Sequence, residues 1–599
     1  MASARNPFAS DWVRGGADER LRPQGTLSYV AGATEEPLRF VTVGALLEAA
    51  VATHGARDAA VFAGPDGRAS VTLSWHDLLQ RADEVAAGLL ALGIRRGNRV
   101  GIWAPNRVEW LLAQFGTARI GAVLVNINPA YRSSELEYAL NKVRCRALIT
   151  ARSHKSSDYL GMLKSLAPEL ERPAAAGGGS IELESRRLPN LKHVILLDDA
   201  NRRNPVPPRA LRFADFVRQA GPAHRARVGA LNAALDPDDA INIQFTSGTT
   251  GAPKGATLSH FNIVNNARYA TQAMALTPAD RLCIPVPLYH CFGMVLGVLA
   301  CVASGAAMVF PGEAFEAEAT LAAVQRQRCT ALHGVPTMFV AMLAHPARAQ
   351  YDVSTLRTGI MAGAPCPIET MRALVAEMHM SQITIAYGMT ETSPISFQSG
   401  VHDALERRVA TVGRIHPHVE VKIVDAAGRI VPVGQQGELC TRGYSVMRGY
   451  WEDAERTREA IDEAGWMHTG DLATLDAEGY CNIVGRVKDM LIRGGENVYP
   501  REVETFIETH EKVLAVQVFG VPDPKYGEEV CAWIVLRPGQ SATAEEITAY
   551  CRSRIAHYKV PRFIRFVEAF PLTATGKPQK FAMREAMVRE LGVREAKTA

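Results

Sequence analysis

The chain has 599 residues, 47% apolar and 21% charged. That length calls for at least two cores, and the composition is far from that of a disordered chain. Lysine and arginine exceed aspartate and glutamate by 66 − 62 = 4, too small an excess to lay down the basic face that nucleic acid requires.

The N-terminal segment carries Arg5, Asp11, Arg14, Asp18 and Glu19 and lacks the apolar stretch of a secretory signal, so export is not expected. Ten cysteines are scattered with no CxxC pair and no His/Cys cluster at metal-ligand spacing. They point to reduced thiols and a cytoplasmic protein. Short β-rich runs follow at 99–104, 122–127, 147–150 and 193–198, with a helical pattern over 110–121. Such alternation predicts an α/β fold with largely parallel sheets. The stretches 172–180 and 201–209 are too rich in Gly, Pro and charge to build a core, and read as surface excursions.

Residues 293–310 form an uncharged run of 18 residues, at the lower margin of a membrane span. Gly305 interrupts it, Pro311-Gly312 stops it and no basic residue flanks it closely. A buried helix followed by a buried strand is expected, with at most peripheral membrane contact. After Arg486, glycines and charges crowd together before Pro500, marking a domain boundary. Beyond it the pattern predicts a helix (501–509), strands (513–521 and 530–536), a helix (544–555), a strand (563–567) and a terminal helix from about 581. This is a small α+β domain.

The strongest local signal is TSGTTGAPKG, which follows the strand-like INIQF. Its residues Thr246, Ser247, Gly248, Thr249, Thr250, Gly251, Ala252, Pro253 and Lys254 combine hydroxyls, a cation and glycines that let backbone N–H groups turn inward. That is an anion cradle. The spacing departs from the G-x4-G-K-[ST] of a P-loop NTPase. Glu391, in YGMTE, is a hard oxygen ligand suited to Mg²⁺ beside phosphates; Thr390 can donate to an α-phosphate, and Tyr387 offers a flat face to adenine.

These motifs, with TGD at 469–471, GRVKDMLIRGGENVYPREVE at 485–504 and PLTATGKPQK at 571–580, occur in the order found in the adenylate-forming acyl-CoA synthetases, which the chain resembles over nearly its whole length. Residues 28–38, 262–269 and 287–297 are similar to the branch of medium-chain fatty acid ligases. The resemblance implies a large N-terminal α/β domain with stacked sheets (1–487) and a small mobile α+β C-terminal domain (488–599), hinged at Lys488, where many relatives have Asp. It implies ATP, Mg²⁺ and coenzyme A as reactants. A carboxylate is activated to acyl-AMP with loss of pyrophosphate, and the acyl group then passes to CoA.

By the same resemblance, Asp471 and Arg486 hold the ribose, and Lys577 bridges the carboxylate and the α-phosphate during adenylation. A fixed cation there offsets the repulsion as anions meet. Gly494, Gly495 and Glu496 line the pantetheine tunnel. His290 and Phe292 approach the acyl group, and Gly363 and Ala364 leave room for its chain. Relatives that activate amino acids keep an Asp in this region. None occurs between Pro285 and Met294, so a medium-chain fatty acid is expected. The alternatives are an aryl-CoA ligase, a fatty acyl-AMP ligase serving another acceptor, and a non-catalytic nucleotide- or lipid-binding protein. The sequence is compatible with a homodimer.

Overall fold

The computed structural model describes residues 21–23, 25–173, 182–197, 204–246, 253–364, 366–493, 496–523, 525–552, 554–573 and 576–593. Much of the two surface excursions, and the N-terminal segment, lie outside them. The described residues divide into two units, one formed by Ala31–Glu420 with Thr441–Met467, the other by Arg22–Val30, Val421–Cys440 and the chain from His468.

The first unit is built on two sheets. In one, the strands run in the order Ala210–Arg212, His193–Leu196, Ala147–Thr150, Arg99–Trp103, Val123–Asn126 and Ala240–Thr246, all parallel, then Lys254–Ser259 antiparallel to Ala240–Thr246, and Gly449–Tyr450 antiparallel in turn to Lys254–Ser259. The inner strands are buried at nearly every position. Helices on both faces of a parallel sheet demand that continuous apolar pattern. In the other, Gln382–Gly388, Thr358–Ala362, Ala331–Leu332, Arg281–Cys283, Ala307–Phe310 and Asp58–Ala63 are parallel neighbours. Antiparallel strands close both of its edges.

The helices show why the sequence folds this way. Trp75–Ala91 starts at a reciprocal cap: the Asp77 N–H donates to Ser74 Oγ (3.1 Å) and the Ser74 N–H donates to Asp77 Oδ2 (3.0 Å). His260–Ala273 is capped alike by Ser259 and Asn262. It buries Asn262, Asn265 and Asn266, whose amides must then find partners. Asn266 takes both from Ile395, donating to its carbonyl (2.8 Å) and accepting its N–H (3.0 Å). The strand that follows YGMTE is thereby tied to the helix.

The uncharged run resolves into a buried π-helix Phe292–Leu299, an α-helix Ala300–Ser304, a left-handed Gly305 (φ +74°) and the strand Ala307–Phe310. No helix among the described residues is long and apolar enough to cross a membrane.

The second unit holds most of the sheet of Tyr29–Ala31, Val419–Val424, Gly437–Gly443, Met467–Leu475 and Cys481–Arg486. It also holds a C-terminal sheet of Glu496–Val498, Leu491–Arg493, Gly527–Leu536 and Val513–Asp523, to which Phe563–Phe566 adds in parallel. Helix Pro500–Ile507 turns Val503 and Ile507 into a core with Leu491, Val516 and Ile534. Helix Lys580–Leu591 seats Met583 and Met587 against Phe519 and Trp533.

Candidate active site

In open parallel sheets, ligands bind beyond the carboxyl ends of the strands. The candidate residues of the first unit sit there. Ala240–Thr246 runs into the glycine-rich loop, Arg281–Cys283 leads towards His290 and Phe292, Thr358–Ala362 into Gly363 and Ala364, and Gln382–Gly388 into Thr390 and Glu391.

Ser247, Gly248, Thr249, Thr250, Gly251 and Ala252 lie outside the described residues, as do Gly494 and Gly495. The two ends of the loop are described, and the helix His260–Ala273 follows after one intervening strand. Lys254–Ser259 is a strand antiparallel to Ala240–Thr246, with Thr246 opposite Lys254. Five of its six residues are buried, so it carries no alternating pattern that would mark it in the sequence.

The antiparallel pairing brings the loop's hydroxyl and cation together. Thr246 Oγ1 donates to Glu391 Oε1 (3.1 Å), across 145 residues of sequence. The same oxygen accepts from Tyr450 Oη (2.9 Å), which in turn accepts from Lys254 Nζ (3.3 Å). Burial and the Glu391 carboxylate push the Tyr450 phenol far above its ordinary pKa, so it remains a neutral donor. Glu391 is 5% exposed, and among the described residues its Oε2 takes no hydrogen bond. One oxygen held by two hydroxyls and the other open is a fitting hard ligand for Mg²⁺. Tyr450 was not legible as a site residue; nothing in its local GYW setting signals chemistry.

Around this cluster the remaining motifs interlock. Thr390 is buried, its Oγ1 3.8 Å from Cys291 Sγ. The Phe292 N–H donates to His290 Nδ1 (3.1 Å). The Phe292 ring lies 5.3 Å from that of His333, a residue whose sequence setting carries no signal of the site. His333 is fully buried: the Ile360 N–H donates to its Nδ1 (3.2 Å), so Nε2 carries the proton and donates to Leu296 O (3.0 Å). Burial lowers its pKa to about 4, leaving a neutral ring. Tyr387 is half-buried, 6.3 Å from the Phe397 ring. Gly388 beside it admits no side chain, because a Cβ would lie 1.8 Å from Pro394 O.

In the second unit, Asp471 and Arg486 are cross-strand partners, with Arg486 Nε 3.0 Å from Asp471 Oδ1. The strand that presents Asp471, Met467–Leu475, is anchored by Glu438. Its Oε1 accepts the Gly470 N–H (3.1 Å) and its Oε2 lies 3.0 Å from His468 Nδ1, which is 3.5 Å from Cys440 Sγ. Glu438, Cys440 and His468 form the one metal-like trio among the described residues, assembled by strand pairing and hence invisible as a spacing. Arg493, at the end of the strand Leu491–Arg493, is clamped by both oxygens of the buried Glu529 (2.6 and 3.0 Å), another anchor the sequence conceals. Glu496 opens the returning strand. Lys577 is exposed on a turn closed by the Thr573 N–H donating to Lys577 O (2.8 Å) and by a Leu572–Pro578 bridge. Lys580 ties that turn to Glu504 (2.7 Å).

The AMP-binding enzyme model matches residues 47–451, and the AMP-binding enzyme C-terminal domain matches 502–577. The chain belongs to the AMP-binding enzyme family. It is 47% identical over 574 residues to the medium-chain acyl-CoA ligase ACSF2 of Danio rerio (95% of this chain, 92% of the relative). It is 44% identical over 578 residues to ACSF2 of Homo sapiens (95% and 91%). The crystal structure of the anthranilate CoA ligase AuaEII with anthranoyl-AMP covers 94% of this chain and 99% of its own, at a TM-score of 0.79 and 28% identity. As a member of this family the protein is an AMP-forming acid–thiol ligase that uses ATP and CoA, with the α/β large domain and smaller C-terminal domain of adenylate-forming enzymes.

Proposed function

We propose that the protein activates medium-chain fatty acids and transfers them to CoA, with Mg²⁺ bound through Glu391. The observation that carries the reading is the meeting of Thr246, Lys254 and Glu391 at the carboxyl ends of parallel strands. Lys254 offers charge to the phosphates, and Thr246 and Thr390 offer hydroxyls. The bound divalent cation would supply charge neutralisation at the phosphates. Asp471 accepts from the ribose hydroxyls, with Arg486 beside it. Lys577 offsets the repulsion between the carboxylate and the α-phosphate. Gly494, Gly495 and Glu496 border the path of the CoA thiol. Lys488, in the turn Val487–Asp489, is the hinge between domains 1–487 and 488–599, and exchanges the adenylating and thioester-forming arrangements.

Medium chain length is supported by the small Gly363 and Ala364, by the uncharged segment around His290 and Phe292, and by the names of the ACSF2 relatives. Each methylene contributes only about 1 kcal/mol in an apolar pocket, so the preference is graded. The likeness to an anthranilate CoA ligase makes an aryl acid the second reading. The ten cysteines form no disulfide among the described residues, in keeping with a reducing, cytoplasmic setting.

The test is incubation with MgATP, CoA and carboxylates from acetate to palmitate plus benzoate, with products read by mass spectrometry. A maximum at medium chains supports the assignment, and a maximum at benzoate replaces it with the aryl reading. Acyl-AMP without thioester would move the acceptor away from CoA.

A further inference from the structure

Tyr450 stands between two groups of opposite charge. Its hydroxyl donates to Glu391 Oε1 at 2.9 Å and accepts from Lys254 Nζ at 3.3 Å, while the ammonium also lies 4.5 Å from the ring centroid. No ion pair joins Lys254 to Glu391 directly. An ammonium and a buried carboxylate this close attract strongly where water is excluded, and a direct pair would occupy both charges. One phenol satisfies them instead, because a hydroxyl donates once and accepts with its lone pairs.

The ring is held for this task. Gly449–Tyr450 pairs antiparallel with Lys254–Ser259, placing Tyr450 opposite Ala256. The Trp451 N–H donates to Gly255 O (2.8 Å) and the Tyr450 N–H to Thr457 Oγ1 (2.9 Å). Tyr450 is 6% exposed. A phenylalanine would fill the same apolar space, so the hydroxyl, costly to bury unless bonded, calls for a reason of its own.

We infer that the Tyr450 hydroxyl is a positioning group that keeps the Lys254 ammonium and the Glu391 carboxylate from pairing, so that the first stays available to nucleotide phosphate and the second to the divalent cation. The inference rests on the roles given above to Lys254 and Glu391.

Tyr450→Phe removes the hydroxyl and keeps the ring. Two readouts bear on it: calorimetric titration of MgATP without carboxylate or CoA, and the Mg²⁺ dependence of pyrophosphate exchange. The expected result is an affinity for MgATP and a half-saturating Mg²⁺ each weakened about tenfold. The KM for carboxylate, the melting temperature and thioester formation from supplied acyl-AMP should stay as in the parent, which a general loosening of the fold would not allow. Unchanged MgATP affinity and Mg²⁺ dependence would overturn the role, as would an equal loss in every parameter. Glu391→Gln is run beside it. If that variant leaves the Mg²⁺ dependence unmoved, the metal reading itself falls; if it shifts the dependence and Tyr450→Phe does not, only the inference about Tyr450 falls.

Discussion

Glu391 and Lys577 are assigned to the same half-reaction and are built in opposite ways. Glu391 is 5% exposed and enclosed by hydroxyls from strands far apart in sequence. Lys577 is exposed on a short turn of the second unit, positioned by local backbone bonds and by Lys580 reaching Glu504. The contrast teaches a division of labour. On the proposed roles, a ligand of the cation is fixed in the sheet framework, whereas the ammonium that meets the reacting carboxylate is carried on an exposed turn.

The hardest blow to that division is Lys577→Ala. Acyl-AMP formation should fall about a thousandfold, the scale of losing a fixed charge at a developing anion. Thioester formation from supplied acyl-AMP should remain within a few fold. Equal loss in both, measured as separate half-reactions, would show that Lys577 serves the site continuously and that the contrast is only one of exposure. The hinge gives the mirror-image test. Lys488→Pro fixes φ within the Val487–Asp489 turn, and should cut overall turnover about a hundredfold while pyrophosphate exchange stays within twofold. Normal turnover would place the pivot elsewhere.

The framework side can be probed by packing alone. At Gly388 an added Cβ would meet backbone, 1.8 Å from Pro394 O, and backbone cannot step aside as a flexible side chain can. Gly388→Ala should therefore lower stability by about 2–4 kcal/mol, seen as a melting temperature several degrees lower. MgATP affinity should fall with it, because the YGMTE turn shifts.

The same contrast decides what could be read in advance. Motifs compact in sequence are legible residue by residue: Lys577 in TGK, Asp471 in TGD and Glu391 in MTE carry their chemistry within a few positions. The alternation of strands and helices gave the α/β class, and residues 293–310 resolved as helix then strand. Hidden were the groups that act by long-range pairing. Tyr450 meets Lys254 across 196 residues, Glu438 meets Gly470 across 32, and Arg493 meets Glu529 across 36. A polar residue whose partner is supplied by another strand looks, in sequence, like any surface residue. The strand Lys254–Ser259 escaped for a related cause: buried almost throughout, it has no polar face to betray its period.

The gentlest test concerns protons. His260, His333 and His416 are buried in the first unit, and desolvation lowers their pKa values to about 3, 4 and 3. Each is neutral when folded and regains its ordinary pKa near 6.5 on unfolding, so the unfolded chain binds more protons at mildly acid pH. Their contribution is fully present above pH 6.5 and is lost as pH falls from there towards 4, at about 1.4 kcal/mol per pH unit for each proton taken up. Asp280 acts in a lower window: burial alone would raise its pKa, but Arg357 and Thr330 hold it down, so its contribution fades only below the ordinary carboxylate range. Urea midpoints measured from pH 8 to 4.5 should be flat to about 7 and then fall steadily. A midpoint level down to pH 5 would mean that these imidazoles reach water or a counter-charge in the folded protein, and the framework would then be less closed than its contrast with the exposed Lys577 turn requires.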